Sequence, residues 1–231
     1  YVNSRSLISD YEFDLLLKEL ELLEDKFPAY SDENSPTKRV GGEVTKSFDS
    51  HAHEYPMLSL SNSYSKQDII DFDERIKKII DVPFEYICEL KYDGVAISLI
   101  YENGQLIKGV TRGDGVRGEV VTNNIRTIQA IPLKLIDEFP KKIEVRGEII
   151  FPTPVFKELN NQRKLIGLPL FSNPRNTASG SLKLQDSAEV AKRNLDCFLY
   201  AVYMKDSIFN NASDQYNYLQ KLGFKTPSVK D

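Results

Sequence analysis

Apolar residues recur with the period of an α-helix in two stretches of the chain. The first stretch follows Ser9 and Asp10, a helix start signal, and Pro28 lies just beyond its last turn. Its apolar positions are Phe13, Leu16, Leu17, Leu20 and Leu23. The second stretch begins at the capping residue Ser65, and its apolar positions are Ile69, Ile70, Phe72, Ile76 and Ile80. Each pattern predicts an amphipathic helix.

Short β-branched runs separated by turns replace this pattern from residue 84 onward. They predict strands at 84–91, 95–101, 105–112, 143–151 and 196–203, with a helix near 154–165. This order fits a mainly antiparallel sheet in an α+β fold better than repeated βαβ units. The polar, turn-rich stretch 31–56 indicates a connector. We therefore expect a small helical domain at 1–47 and a larger domain at 48–231.

The composition is that of an ordinary globular protein, with 41% hydrophobic and 28% charged residues. No apolar run reaches the length of about 18 residues that a membrane span needs, and the N-terminus lacks a signal-peptide pattern. The formal net charge of −4 means that any nucleic-acid surface must be local. The two cysteines, Cys88 and Cys197, lie in apolar surroundings, so we expect reduced, buried thiols in a cytoplasmic protein.

A hairpin is predicted at residues 103–104, because the dipeptide Asn-Gly readily takes the two positive φ angles of a tight turn. In that register Glu102 faces Gln105, and Arg112 lies opposite Val95. Opposite residues share a face of the sheet, and side chains alternate along each strand. The register therefore predicts which charged side chains are neighbours.

Lys91, Asp93 and Arg112 are expected on one side of the sheet, with Glu89 beside them. Four charged groups cannot form a core, so they belong either to a site or to ordinary ion pairs on a solvated face. The loop 111–119 follows and contains three glycines. Such a loop can present backbone N–H groups to an anion, and a plain surface loop is the alternative.

Several motifs together resemble the adenylation region of bacterial NAD-dependent DNA ligases. In chain order they are PMLSLSN (56–62), CELKYDG (88–94), TRGDG (111–115), EVRGE (144–148) and NPRNTASGSLK (173–183). Two further segments, SDYEFD (9–14) and DENSPTKRVGG (32–42), resemble the small N-terminal domain of the same ligases. The resemblance implies a nucleotidyltransferase domain, ATP-grasp-like and with mainly antiparallel sheets, behind a small helical domain.

The implied activity is the sealing of DNA nicks in replication and repair. Lys91 matches the nucleophile that attacks NAD, releases nicotinamide mononucleotide and carries AMP to the 5′-phosphate of a nick. An amine is nucleophilic when it is neutral, a state that nearby cations or burial favour. On the sheet face that the hairpin register predicts, Gly94 is expected to let the backbone bend close to a nucleotide.

The resemblance also assigns the nucleotide pocket. It implies that Glu89 hydrogen-bonds the adenine, that Arg112 meets the ribose or a phosphate, and that Glu148 contacts the ribose or a metal-bound water. The alternative for Glu148 is a salt bridge to Arg146 or Arg126. The family's adenosine contacts also match Ser59, Leu60 and Tyr200, of which the last would stack on adenine. Without the family, Ser59 and Leu60 would be a strand end and Tyr200 a core aromatic.

The nicotinamide side and the phosphate or DNA side are assigned in the same way. The family's nicotinamide-side segment matches Asp10, Tyr11, Glu12, Phe13 and Asp14, although relatives often have tyrosine where Phe13 stands. Helix-start charges favoured by the macrodipole are the alternative. Arg175 and Lys183 are expected to contact phosphate or the DNA backbone, and surface cations are the alternative.

The implied cofactors are NAD and Mg²⁺ or Mn²⁺, with no metal ligand assigned among these residues. Two cysteines cannot make a tetrahedral zinc site, so zinc is expected only in parts of such ligases that this chain lacks. We expect a monomeric fragment whose partner is nicked double-stranded DNA and which does not seal nicks by itself. The rival hypotheses are an ATP- or GTP-using nucleotidyltransferase and a binding module without catalysis.

Overall fold

The computed structural model describes residues 10–32, 35–38, 47–205 and 209–228. It begins with α1 (Asp10–Lys26), which confirms the first predicted helix, and with two 3-10 turns, Pro28–Tyr30 and Pro36–Lys38. The Thr37 hydroxyl donates to the Glu24 carboxylate at 2.5 Å. This contact ties the second turn back to α1.

A short strand and a second helix precede the main sheet. They are β1 (Ser50–Ala52) and α2 (Lys66–Ile79), which confirms the second predicted helix. The Ser65 side chain accepts from the Asp68 backbone, and the Asp68 carboxylate accepts from the Ser65 backbone. This capping box satisfies two amide groups that a helix start otherwise leaves without partners.

Ten further elements complete the described chain. They are β2 (Val95–Glu102), β3 (Gln105–Thr111), β4 (Arg117–Glu119), α3 (Thr122–Arg126), β5 (Lys142–Ile150), α4 (Thr153–Leu165), α5 (Pro174–Leu182), α6 (Ser187–Ala191), β6 (Asp196–Tyr203) and α7 (Ala212–Lys221). The main sheet has the order β3-β2-β5-β6 and is antiparallel throughout, while β1 pairs with β4. The fold class is therefore α+β, as predicted.

One predicted strand, 84–91, is wrong. Only Cys88 in this stretch makes a β-bridge, and Cys88 is exposed rather than buried as expected. The stretch packs against α2 instead, because the Tyr86 ring lies 6.1 Å from that of Phe72 and its hydroxyl donates to Asp73 at 2.9 Å. Its aromatic side chains thus serve helix packing rather than strand pairing. Cys197, on β6, is buried as predicted.

The two faces of the main sheet differ in chemistry. One face is the hydrophobic core, and its fully buried strand residues include Ile97, Leu99, Ile149, Cys197 and Leu199. The other face alternates with it and carries polar or aromatic residues, among them Ser98, Glu144, Arg146, Glu148, Phe198 and Tyr203. Within the described ranges, every helix is too short or too polar to cross a lipid bilayer.

A buried network holds residues 55–56 on this polar face. The Arg146 guanidinium donates to Glu144 at 2.6 Å, to the Pro56 carbonyl at 2.9 Å and to the Tyr55 carbonyl. Ser98 donates to the same Glu144 oxygen at 2.8 Å. Arg146 is therefore paired with Glu144, which overturns the suggested salt bridge between Arg146 and Glu148. The network fixes the start of the PMLSLSN segment over the sheet.

Candidate nucleotide-binding site

The hairpin between β2 and β3 places Arg112. Glu102 faces Gln105 as predicted, but Ile107 is an extra residue on β3, because Ile100 pairs with Lys108 and Tyr101 with Leu106. A β-bulge of this kind shifts the register by one residue.

The predicted pairing of Arg112 with Val95 is therefore wrong, and the Arg112 amide donates to the Ala96 carbonyl at 3.1 Å. Ala96 pairs with Glu148 on β5, whereas Val95 pairs with the core residue Ile149. Because opposite residues share a face, the bulge brings Arg112 to the side of Glu148 rather than to the core.

An aromatic contact anchors the segment that carries Lys91. The Tyr92 ring stacks on Phe198 of β6, with ring centroids 4.0 Å apart and planes 14° from parallel. Phe198 pairs with Glu148 on β5, so the stack brings the segment of Lys91 to that carboxylate. Strand pairing plays no part in this placement.

Packing against β5 explains why residue 94 is a glycine. A Cβ at Gly94 would lie 2.1 Å from the Ile149 carbonyl oxygen. Only glycine therefore allows the backbone to cross so close to β5, and the close approach is to the protein's own strand. The Gly94 amide also donates to Glu148.

Three cations surround the half-buried Glu148. Burial raises the pKa of Glu148 above its ordinary value, while Lys91, Arg175 and Arg112 oppose that shift in decreasing order. The Arg175 guanidinium lies 3.4 Å from the Asp93 carboxylate, which joins the start of α5 to the Lys91 segment. The structure thus brings together five sequence-predicted charges around one point of the sheet.

The loop 111–119 does not present its amides as an anion cradle. The amides of Val116 and Arg117 donate to the Asp114 carboxylate at 2.8 and 2.7 Å, and the Gly115 amide donates to the Arg112 carbonyl. The Gly115 carbonyl accepts from the Met57 amide at 2.8 Å. The loop therefore braces the PMLSLSN segment, which favours the plain-loop alternative.

Ser59 and Leu60 lie at the edge of this site. The Arg112 guanidinium donates to the Ser59 hydroxyl at 3.3 Å. Leu60, the next residue, is 79% exposed. A molecule bound at this edge would meet Ser59 and Arg112 together.

Tyr200 and Glu89 are the two residues of the site that the resemblance assigns to the adenine base. Tyr200 is the extra residue of a second bulge, since Arg146 pairs with Ala201 and Gly147 with Leu199. Burial, followed by the charges of Glu148 and Glu89, raises the pKa of the Tyr200 phenol to about 12. The residue is half-buried and packs against the hydrophobic core, in line with the core alternative. Glu89 accepts a hydrogen bond from the hydroxyl of Tyr216 on α7.

The remaining candidates lie apart from this cluster or outside the described side chains. Lys183 forms an ion pair with Glu119. Glu12 lies exposed on α1, whereas the side chains of Asp10, Tyr11, Phe13 and Asp14 lie outside the described part of the structure. Among the described residues, no group of three or more His, Cys, Asp or Glu side chains is placed to hold a metal ion.

Comparison with models of protein families shows which family this chain belongs to. Residues 45–230 match the model of the NAD-dependent DNA ligase adenylation domain, and residues 1–41 match that of the DNA ligase-like N-terminal NAD⁺-binding domain. The chain belongs to the NAD-dependent DNA ligase family. Both halves of the sequence-based resemblance are thereby confirmed.

Similar ligases occur in several bacteria. The chain is 54% identical to a DNA ligase of Christiangramia forsetii over 231 residues, which are 100% of this chain and 35% of that protein. It is 55% identical to a DNA ligase of Flavobacterium psychrophilum over 228 residues, 98% of this chain and 34% of that protein. A DNA ligase of Bacteroides fragilis is 50% identical over 226 residues, 97% of this chain and 34% of that protein. The chain thus spans about a third of the length of these ligases.

Three contacts in this ligase segment were not predicted from the sequence. They are the stack of Tyr92 on Phe198, the anchoring of Tyr55 and Pro56 by Arg146, and the hydrogen bond from Tyr216 to Glu89. The last depends on α7, whose start is marked in the sequence by Asn211, since its side chain accepts from the Asp214 amide. That capping pattern was the available signal.

Proposed function

We propose that Lys91 is the adenylated nucleophile of an NAD-dependent DNA ligase. Its amine attacks the adenylyl phosphorus of NAD, a P–N bond forms, and nicotinamide mononucleotide leaves with the electrons of the broken P–O bond. The 5′-phosphate of a DNA nick then takes the AMP and frees the lysine. Attack by the 3′-hydroxyl closes the nick and releases AMP.

The observation that carries this proposal is the convergence of Lys91, Arg112 and Arg175 on Glu148. Fixed cations beside a nucleophile can stabilise the negative charge that develops on a transferred phosphate. We assign that role to Arg112 and Arg175. Asp93 supports it by holding Arg175 through their ion pair.

The pocket residues receive matching roles in the proposal. Tyr200 stacks on the adenine, Glu89 accepts a hydrogen bond from its amino group, and Glu148 contacts the ribose. The backbone at Ser59 and Leu60 meets the adenosine at the edge that Arg112 also lines. The half-buried ring of Tyr200, between two carboxylates, supports a polar aromatic ligand at this place.

The nicotinamide and DNA sides extend beyond this cluster. We assign the nicotinamide end of NAD to α1, through Asp10, Tyr11, Glu12, Phe13 and Asp14. Lys183 would exchange Glu119 for a DNA phosphate when DNA binds. We place the boundary between the helical domain, 1–47, and the adenylation domain, 48–231, near residue 47, and the limits of the two family matches support it.

A magnesium ion would be held at this site mainly by waters and substrate phosphates rather than by a set of protein ligands. Mg²⁺ usually keeps several waters and binds through one or two carboxylates together with substrate phosphates. Glu148 would hold it through a water, and the ion would neutralise phosphate charge. This fits the described residues, which offer isolated carboxylates rather than a cluster of three ligands.

The experiment compares NAD with ATP on the native protein, with any flanking sequence retained. We expect one adenylyl group by intact mass with NAD and Mg²⁺, none with ATP, and sealing of a nicked duplex. Lys91→Ala should abolish both. Labelling by ATP alone, or full activity of Lys91→Ala, would overturn the proposal. We expect residues 1–231 alone to self-adenylate poorly and to leave nicks open, as a monomer in the cytoplasm.

A further inference from the structure

Tyr216 joins the hydrophobic core to the candidate adenine pocket. Its side chain is 7% exposed and belongs to the core cluster, yet its hydroxyl donates to the Glu89 carboxylate. Glu89 itself is exposed and lies in the stretch between α2 and β2 that has no strand structure. A hydroxyl fixed by the core thus holds a carboxylate on an irregular segment.

The position of Tyr216 is set by the packing of α7. Asn211 caps this helix, and Leu219 and Leu222 beyond Tyr216 are fully buried. Burial, and then the hydrogen bond to Glu89, raise the pKa of the Tyr216 phenol, so the hydroxyl keeps its proton as a donor. A phenol donates one hydrogen bond, which leaves the second oxygen of Glu89 able to accept another.

The direction of that free oxygen matters for base recognition. The charges of Glu148 and Glu89 both raise the pKa of the Tyr200 phenol, so Glu89 lies within electrostatic reach of the half-buried ring that would stack on the base. An ionised carboxylate only accepts hydrogen bonds. It favours the 6-amino group of adenine and repels the 6-oxo group of hypoxanthine.

We propose that Tyr216 is a positioning residue for purine specificity, which holds the Glu89 carboxylate so that the site selects a 6-amino over a 6-oxo purine. This inference rests on the proposed function, because it places the base of NAD between Tyr200 and Glu89. Tyr216 itself does not touch the substrate. Its effect therefore appears in selectivity more than in the rate at saturating NAD.

The test measures self-adenylation of the native protein with NAD and with nicotinamide hypoxanthine dinucleotide. Tyr216→Phe keeps the ring in the core and removes the donor. We expect the ratio of the two rates, NAD over the hypoxanthine analogue at subsaturating concentration, to fall about tenfold. Tyr218→Phe is the matched control, because Tyr218 lies on the same helix and packs on Phe209, with ring centroids 5.6 Å apart. Its ratio should not change.

Glu89→Gln replaces one of the two acceptor oxygens by an NH₂ donor, which suits a 6-oxo group, and should lower the ratio at least as much. Adding Tyr216→Phe to Glu89→Gln should lower it no further. An unchanged ratio in a folded Tyr216→Phe protein overturns the inference, as does an unchanged ratio in Glu89→Gln if Tyr216→Phe does not fold. If NAD does not label the unmutated protein at all, the proposed function is wrong, and this inference, which rests on it, is wrong as well.

Discussion

Asp93 and Arg175 lie 3.4 Å apart, carboxylate oxygen to guanidinium nitrogen, and join the Lys91 segment to the first turn of α5. Their side chains are 75% and 55% exposed, so the pair contributes little to stability. Its role is to hold the Arg175 guanidinium in place beside the Lys91 segment. We predict that Asp93→Asn lowers the rate of self-adenylation about tenfold or more, since misplaced charge weakens stabilisation of the transition state. Single-turnover labelling with NAD measures this.

The matched control for Asp93→Asn is Glu189→Gln. Glu189 forms a comparable exposed ion pair with Lys192, at 2.6 Å, away from the Lys91 segment. Both variants should change the free energy of unfolding by less than about 1 kcal/mol. An equal loss of labelling in the two variants would mean that the Asp93–Arg175 pair has no particular role.

Gly94→Ala should destabilise the protein by about 2 kcal/mol or more, because its Cβ would lie 2.1 Å from the Ile149 carbonyl oxygen and the backbone would have to move. Gly180→Ala is the control. It lies within α5, and outside its own chain neighbours and helix backbone no atom lies within 4 Å of the added Cβ, so the change should stabilise by about 0.5–1 kcal/mol. Urea denaturation compares the two. A mild effect of Gly94→Ala would contradict the close approach to β5.

Arg146→Met should be among the most destabilising single changes, by about 3–5 kcal/mol, since it leaves the Glu144 carboxylate buried without its cation. Adding Glu144→Gln should recover part of the loss, which a double-mutant cycle would measure as coupling. Lys142→Met removes an exposed partner of Glu54 and should cost less than about 1 kcal/mol. Additive effects of Arg146→Met and Glu144→Gln would refute the buried pair.

Glu148→Gln should lower the rate of self-adenylation without lowering the free energy of unfolding at pH 7. Burial raises the folded pKa of Glu148 above the ordinary value of 4.5, so the folded state favours the protonated form. A group of this kind contributes stability that is fully present below its unfolded pKa and is lost as pH rises through its folded pKa.

Glu148→Gln should therefore remove that fall in stability above pH 4.5 and be no less stable than the unmutated protein at pH 7. We expect its self-adenylation to fall about 100-fold or more, because the carboxylate that we assign to the ribose is lost. Urea denaturation at several pH values, together with labelling by NAD, measures both effects. A less stable Glu148→Gln protein at pH 7 would contradict the account.

The regular elements could be predicted because their patterns are local. The strands around Ile97, Ile149 and Leu199 alternate with period two, and the Asn-Gly turn closes its hairpin as its φ preferences require. Periodicity could not tell that the aromatic residues of 84–91 would pack on α2 instead of pairing.

The site was predicted as a set of residues and not as a geometry. The one-residue bulge at Ile107 reverses the face of Arg112, and no turn rule reveals a bulge three residues from the turn. The stack of Tyr92 on Phe198 joins residues far apart in the chain, so it depends on the finished sheet. The family resemblance pointed to Lys91, Arg112 and Glu148, whereas the bulge and the aromatic stack explain how they come together.

The most direct measurement of the central claim is the site of adenylation. The native protein is incubated with NAD and Mg²⁺, digested, and its peptides are sequenced by tandem mass spectrometry under conditions that preserve the phosphoramidate. The account predicts a single adenylyl group on Lys91, in the peptide that contains Tyr92 and Asp93. An adenylyl group on another residue, or none on a folded protein that binds NAD, would contradict it.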